Sequence, residues 1–174
     1  MDREAIAEVL EEKHKALFDW LESKPEEHWE SGPEDRWTVG QHFLHLLKSI
    51  KPLNDALSMP SLLMRTQFGK NNREVRSYDT VAERYEEKLS KNLDRAKVFN
   101  EKLKPPKLAD RTYILNRLQT ENKKLQYKVR RIKDKNLDNL VLPHPLMGKM
   151  PVREIIMWTA HHVDHHTQSL KKDY

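Results

Sequence analysis

Apolar residues recur every three or four positions along most of the chain, and prolines break that rhythm at a few places. Ile6, Val9, Leu10, Leu17, Trp20 and Leu21 predict a first helix from about Arg3 to Lys24, ended by Pro25. A polar stretch containing Pro33 leads to Thr38, an N-cap candidate for a second helix reaching about Leu57, with Pro52 set to kink its second half. Residues 58–77 carry Pro60, Gly69 and Asn71-Asn72-Arg73, and read as a long loop of the kind that often lines a site. A third helix is expected over roughly Asp79 to Leu103, with Val81, Tyr85, Leu89, Leu93, Ala96 and Phe99 on one stripe, closed by Pro105-Pro106. A fourth, roughly Ala109 to Lys135, carries Ile114, Leu118, Leu125, Val129 and Ile132. Two prolines and a glycine in Leu142–Met150 rule out a helix interior, so this is a loop before a last helix opening at Pro151, with Glu154 as a favourable charge in its first turn.

Composition agrees with that pattern. Of the 174 residues 37% are hydrophobic and 34% charged, with only four glycines, which suits long amphipathic helices in an all-α fold. No compositional break divides the chain, so residues 1–174 read as one domain. There is no cysteine, which excludes disulfides, thiolate metal sites and cysteine nucleophiles. No apolar run has the length of a signal segment or a membrane span, and the reading is a soluble, cytoplasmic protein without a membrane partner. The net charge of +5 raises nucleic-acid binding as an option. In the most basic stretch, Lys123 to Lys133, Leu125, Val129 and Ile132 keep helical spacing. The basic residues there are the solvated face of an amphipathic helix, and no nucleic-acid partner is expected.

Chemistry concentrates at the C-terminal end, where His161-His162-Val163-Asp164-His165-His166 places four of nine histidines in six residues. Histidines four apart share a helix face and can bind one divalent ion. Projected against Val152, Ile155, Ile156, Val163 and Leu170, His166 falls within about 30° and His162 within about 70° of the apolar centre. His161 and His165 lie well away, as solvated or outer residues. The second helix offers a further ligand in Trp37-Thr38-Val39-Gly40-Gln41-His42-Phe43-Leu44-His45, and two histidines compete for the role. Periodicity prefers His42, with His45 about 135° from the stripe centre, but a ligand facing an open cleft need not sit on the core stripe.

Three motifs together resemble the DinB-like superfamily of small metal-binding four-helix bundles, particularly its branch of metal-dependent hydrolases. They are a tryptophan and hydroxyl residue with a histidine eight positions after the tryptophan (Trp37, Thr38, His45), a His-Pro-x-x-Gly loop (His144 to Gly148), and H-x-x-H-H on the final helix (His162 to His166). The resemblance spans most of the chain. It implies a four-helix bundle with long loops and room for an extra short helical segment, and metal ligands His45, His162 and His166, with His42 as the fallback for His45. It also allows a homodimer.

Three histidines leave a coordination position open for water or substrate, as a catalytic site requires. Imidazole ligands suit a divalent ion such as zinc or nickel. Phosphate loops, dinucleotide fingerprints and nucleophile elbows are absent, so a bound metal has to carry the chemistry. No general acid or base stands out, because Asp164 projects away from the inward pair and Glu154 is accounted for by the helix start. His144 is a candidate pocket cap or substrate contact. The function expected is metal-dependent hydrolysis of a small-molecule substrate. The alternatives are transfer of a low-molecular-weight thiol and a non-catalytic metal-binding module of the stress response.

Overall fold

The computed structural model describes residues 1–93 and 103–174, and in them the chain is helical apart from one small hairpin. The helices are α1 (Arg3–Glu22), α2 (Val39–Ala56), α3 (Ser61–Phe68), α4 (Tyr78–Ser90), α5 (Arg111–Arg131), α6 (Asp134–Asn139) and α7 (Val152–Asp173). The hairpin pairs β1 (Val141–His144) with β2 (Gly148–Pro151) in antiparallel register, Val141 opposite Pro151 and His144 opposite Gly148.

α1 packs on α5 and α7, and α2 packs on the same two, which closes a four-helix bundle in the spatial order α1, α5, α2, α7. α4 lies against α7 outside that ring. Its predicted continuation toward Leu103, with Ala96 and Phe99, lies largely outside the described residues. Each helix of the ring contributes one apolar stripe to the core: Ile6, Leu10 and Leu17 from α1, Phe43, Leu46 and Ile50 from α2, Leu118, Leu125 and Val129 from α5, Ile156, Val163 and Leu170 from α7. Each such side chain contributes about 1.5–3 kcal/mol through burial. No helix among the described residues is long and apolar enough to cross a membrane.

The start of α2 matters most for the site, because it sets the depth of two histidines. Thr38 caps it in both directions: its hydroxyl accepts from the Gln41 amide (3.2 Å), and the Gln41 side-chain oxygen accepts from the Thr38 amide (2.8 Å). Gly40, in the first turn, lies under Trp29. A Cβ there would stand 2.5 Å from the Trp29 carbonyl oxygen and 2.8 Å from Pro106 Cγ. Gly40→Ala is expected to destabilise by about 1–2 kcal/mol in urea titration, since overpacking outweighs the roughly 1 kcal/mol gained in helix propensity.

Four local expectations change. The loop over 58–77 contains α3, and residues at the end of the fourth predicted helix form the separate α6; at eight and six residues both are too short for apolar periodicity to register. The segment before the last helix is a hairpin rather than an irregular loop. Its turn is closed by His144, whose Nδ1 accepts from the amides of Leu146 (3.1 Å) and Met147 (2.9 Å), with Gly148 at φ +75°. Glu154 is more than a helix-start charge: it is fully buried and receives both guanidinium nitrogens of Arg73 (2.5 and 2.6 Å), the Arg76 amide (2.8 Å) and Arg76 Nη1 (3.2 Å). This clamp ties the segment between α3 and α4 to the first turn of α7.

His14 sits buried on α1. Its Nδ1–H donates to the Leu10 carbonyl (2.9 Å), while its Nε2 has no partner among the described residues. Burial pushes its pKa down to about 4, against a smaller upward pull from that carbonyl. The unfolded ring, near 6.5, takes its proton first as pH falls, so the stability associated with the neutral ring is full above pH 6.5 and is lost toward pH 4. The loss is on the order of 3 kcal/mol. His14→Phe is expected to make the pH 4–6.5 limb of the urea-midpoint profile shallower, the other buried histidines keeping the rest of it; an unchanged slope would remove His14 as a contributor.

Candidate metal centre

α2 and α7 cross with three imidazoles between them. His162 Nε2 lies 3.1 Å from His45 Nε2 and 3.0 Å from His166 Nε2, and one ligand atom from each of the three residues falls within 4.8 Å of the others. For metal–nitrogen bonds of about 2.0–2.1 Å, the edges between neighbouring ligands in tetrahedral or octahedral geometry are about 2.9–3.4 Å. The two short separations match those edges. The His162–His166 pair is one helical turn on α7, as the projection required, and His45 reaches across from α2.

The rings are held by partners on their far sides. His166 Nδ1 is 2.9 Å from His42 Nδ1, and His162 Nδ1 is 3.4 Å from the Ser49 hydroxyl, which itself donates to the Leu46 carbonyl. If Nδ1 of His162 and His166 carries the proton, Ser49 and His42 accept it and both Nε2 lone pairs face the centre. Trp37 packs on His42, His45 and His166, stacking on the last at 5.9 Å and 5°. Trp158 stacks on His162 at 4.5 Å and 19°.

These apolar walls keep the rings neutral. Burial, followed by the charges of His165 and Lys48, lowers the His45 pKa to about 4. His162 and His166 are pushed well below the ordinary imidazole range, again by burial first and by neighbouring histidines second. His42 falls to about 3 for the same leading reason. Neutral imidazoles with lone pairs converging on one point are the protonation state and geometry a divalent ion requires.

Both histidines of α2 therefore reach the centre, in different capacities. Three positions apart, they differ by about 60° around the helix. His42 is buried behind His166 and its Nδ1 meets the far side of that ring, whereas the less buried His45 presents its Nε2 to the cluster. Periodicity preferred His42 because it measures depth in the core, whereas membership of the cluster depends on where the Nε2 atom points.

The remaining residues singled out in the sequence lie around this cluster. His161 Nε2 and His165 Nδ1 both approach one oxygen of Glu86 on α4 at 2.9 Å, on the outer side of α7. Asp164 pairs with Lys13 of α1 at 3.6 Å and takes no part in the cluster. His144 packs on Trp158 with ring centroids 4.2 Å apart. Sequence reasoning missed Tyr85, read only as a core position: its ring touches His144, Trp158, His161, His162 and His165. Its place on the apolar stripe of α4 gives no hint of this, because the partners come from α7 and the hairpin.

A closed helical bundle in which two facing helices bring three histidines together is a helical-bundle protein with a site that could hold a metal ion. The profile of the DinB superfamily matches residues 9–170, and the chain belongs to that superfamily. No curated protein and no solved structure matches it.

Proposed function

We propose that this DinB-superfamily protein is a metal-dependent hydrolase in which His45, His162 and His166 hold a divalent ion, zinc or nickel, with a position left open for water or substrate. The observation that supports it best is the convergence of three Nε2 atoms, those of His45 and His166 lying 3.1 and 3.0 Å from that of His162, each in a ring that desolvation keeps neutral. An ion bound there supplies Lewis acidity, making a coordinated water or thiol acidic near neutral pH. The chain's own part is orientation and exclusion of water: His42 and Ser49 fix two ring orientations, while Trp37 and Trp158 wall the rings off from solvent. Metal analysis of the purified protein, followed by an activity panel of esters, amides and thiol conjugates, tests the reading. Turnover that vanishes on chelation and in His162→Ala supports it, and metal-loaded protein inert toward the whole panel overturns the hydrolase.

Thiol S-transfer is the second reading, favoured by the uncharged surroundings of the centre: the partners of His162 and His166 are other histidines and a serine hydroxyl. A thiol brings its own nucleophile and needs only to be made acidic by the metal, with no carboxylate base. A sulfur-to-metal absorption band on adding a low-molecular-weight thiol to the cobalt-substituted protein supports this branch, and an unmoved spectrum removes it.

A further inference from the structure

Three hydrogen-bond donors without an acceptor among the described residues gather beside the histidine centre. The Trp158 ring lies on His162, and its Nε1–H is buried with no partner among the described residues. His144 stands against Trp158, and because its Nδ1 accepts from two turn amides, its proton sits on Nε2, which meets no acceptor among the described residues. Tyr85 touches all three rings, at 6.0 Å from His162, 6.4 Å from His144 and 5.7 Å from Trp158, and its hydroxyl likewise has no acceptor among the described residues. The phenol and imidazole are both neutral at pH 7: burial raises Tyr85 well above its usual range and lowers His144 to about 4. Of the three, Trp158 Nε1–H is the fully buried one, and native structures pair almost all such donors, so an orphan among aromatic rings marks a place where a ligand supplies the missing acceptor.

We propose that the Tyr85 hydroxyl, His144 Nε2–H and Trp158 Nε1–H form a subsite for the carboxylate group of a ligand bound at the histidine centre. The proposal rests on the metal reading of that centre and names the substrate class it takes. A carboxylate carries two oxygens with about four acceptor positions and one negative charge, a match for three neutral donors. A phosphate dianion calls instead for arginine or lysine forks, and the groups packed on these three donors are aromatic rings. The hairpin has a role in this arrangement, since its turn amides set the His144 tautomer and so turn a ring nitrogen into a donor.

Acetate and ethanethiol, titrated into the cobalt-substituted protein and followed in the visible spectrum, test the proposal. Wild type is compared with Tyr85→Phe, which removes only a hydroxyl, and with His144→Asn, which keeps an acceptor for the turn amides but loses the Nε2–H. Acetate affinity is expected to fall about tenfold or more in each variant, as for hydrogen bonds to a charged group, while cobalt content and ethanethiol affinity stay at the wild-type level. Acetate affinity within twofold of wild type in both cobalt-loaded variants overturns the subsite and leaves the metal site standing. Equal losses for acetate and ethanethiol also overturn it, since they place the effect on the metal rather than on the carboxylate. Failure of the wild type to take up cobalt defeats the metal reading, and the subsite with it.

Discussion

His45→Ala, His162→Ala and His166→Ala are each expected to purify without stoichiometric metal, whereas His42→Ala keeps its metal with affinity lowered about 10–100-fold. The difference follows from which nitrogen faces where. The Nε2 atoms of His45, His162 and His166 converge, while the contact of His42 with the cluster runs from its Nδ1 to the far-side Nδ1 of His166. Loss of a ligand opens one of three coordinating positions; loss of His42 frees the His166 ring to rotate and removes the acceptor that fixes its tautomer. Metal content by elemental analysis, with chelator competition for affinity, reads both effects. A His42→Gln variant, which restores an acceptor, should recover part of the lost affinity. Metal retained in His45→Ala and lost in His42→Ala would transfer the third ligand to His42.

That prediction also shows what the sequence could and could not reveal about the site. His162 and His166 were legible because an i, i+4 pair and an apolar stripe lie on the same helix, where spacing alone decides the face. The third member of the cluster was not: on α2 the stripe ranks residues by burial, and it ranked His42 above the less buried His45. The motif eight positions after Trp37 carried that choice. Thr38 announced the start of α2 as an N-cap, a signal that is local by nature, and the structure adds Gln41 as its reciprocal partner. Tyr85 and Trp158 gave no site signal, since an aromatic residue on an apolar stripe reads as core whether or not its polar end finds a partner. The hairpin was excluded as helix by its prolines but not recognised as a strand pair, because four-residue strands leave no alternation to count.

Glu154 was the hardest residue to read in advance, because its partners lie about eighty positions upstream. A carboxylate in a helix's first turn is explained locally by the macrodipole, and the pairing with Arg73 and Arg76 has no local trace. Its side chain is 1% exposed, whereas those of Arg73 and Arg76 are 30% and 28% exposed, so the carboxylate carries most of the desolvation and depends on the arginines. Arg73→Ala is therefore expected to cost about 3 kcal/mol at pH 7, measured by urea unfolding, by leaving a buried charge with half its partners. Glu154→Gln should cost less, since the arginines it releases can rehydrate. Burial alone raises the Glu154 carboxyl, but the hydrogen bonds from Arg73, the Arg76 amide and the two positive charges bring it below its ordinary 4.5. The stability from this depressed pKa is present above pH 4.5 and lost as pH falls through the lower folded value, so the gap between wild type and Glu154→Gln should close in acid. Trypsin supplies a second reading, because the clamp holds two of its cleavage positions, Arg73 and Arg76, against α7. Faster cleavage there in Glu154→Gln, ahead of global unfolding, is expected if the clamp fixes the segment leading into α4 and its Tyr85. Cleavage at the wild-type rate would show that the segment is held by its other bonds, such as that from the Asn71 amide to the Asn139 carbonyl (2.8 Å).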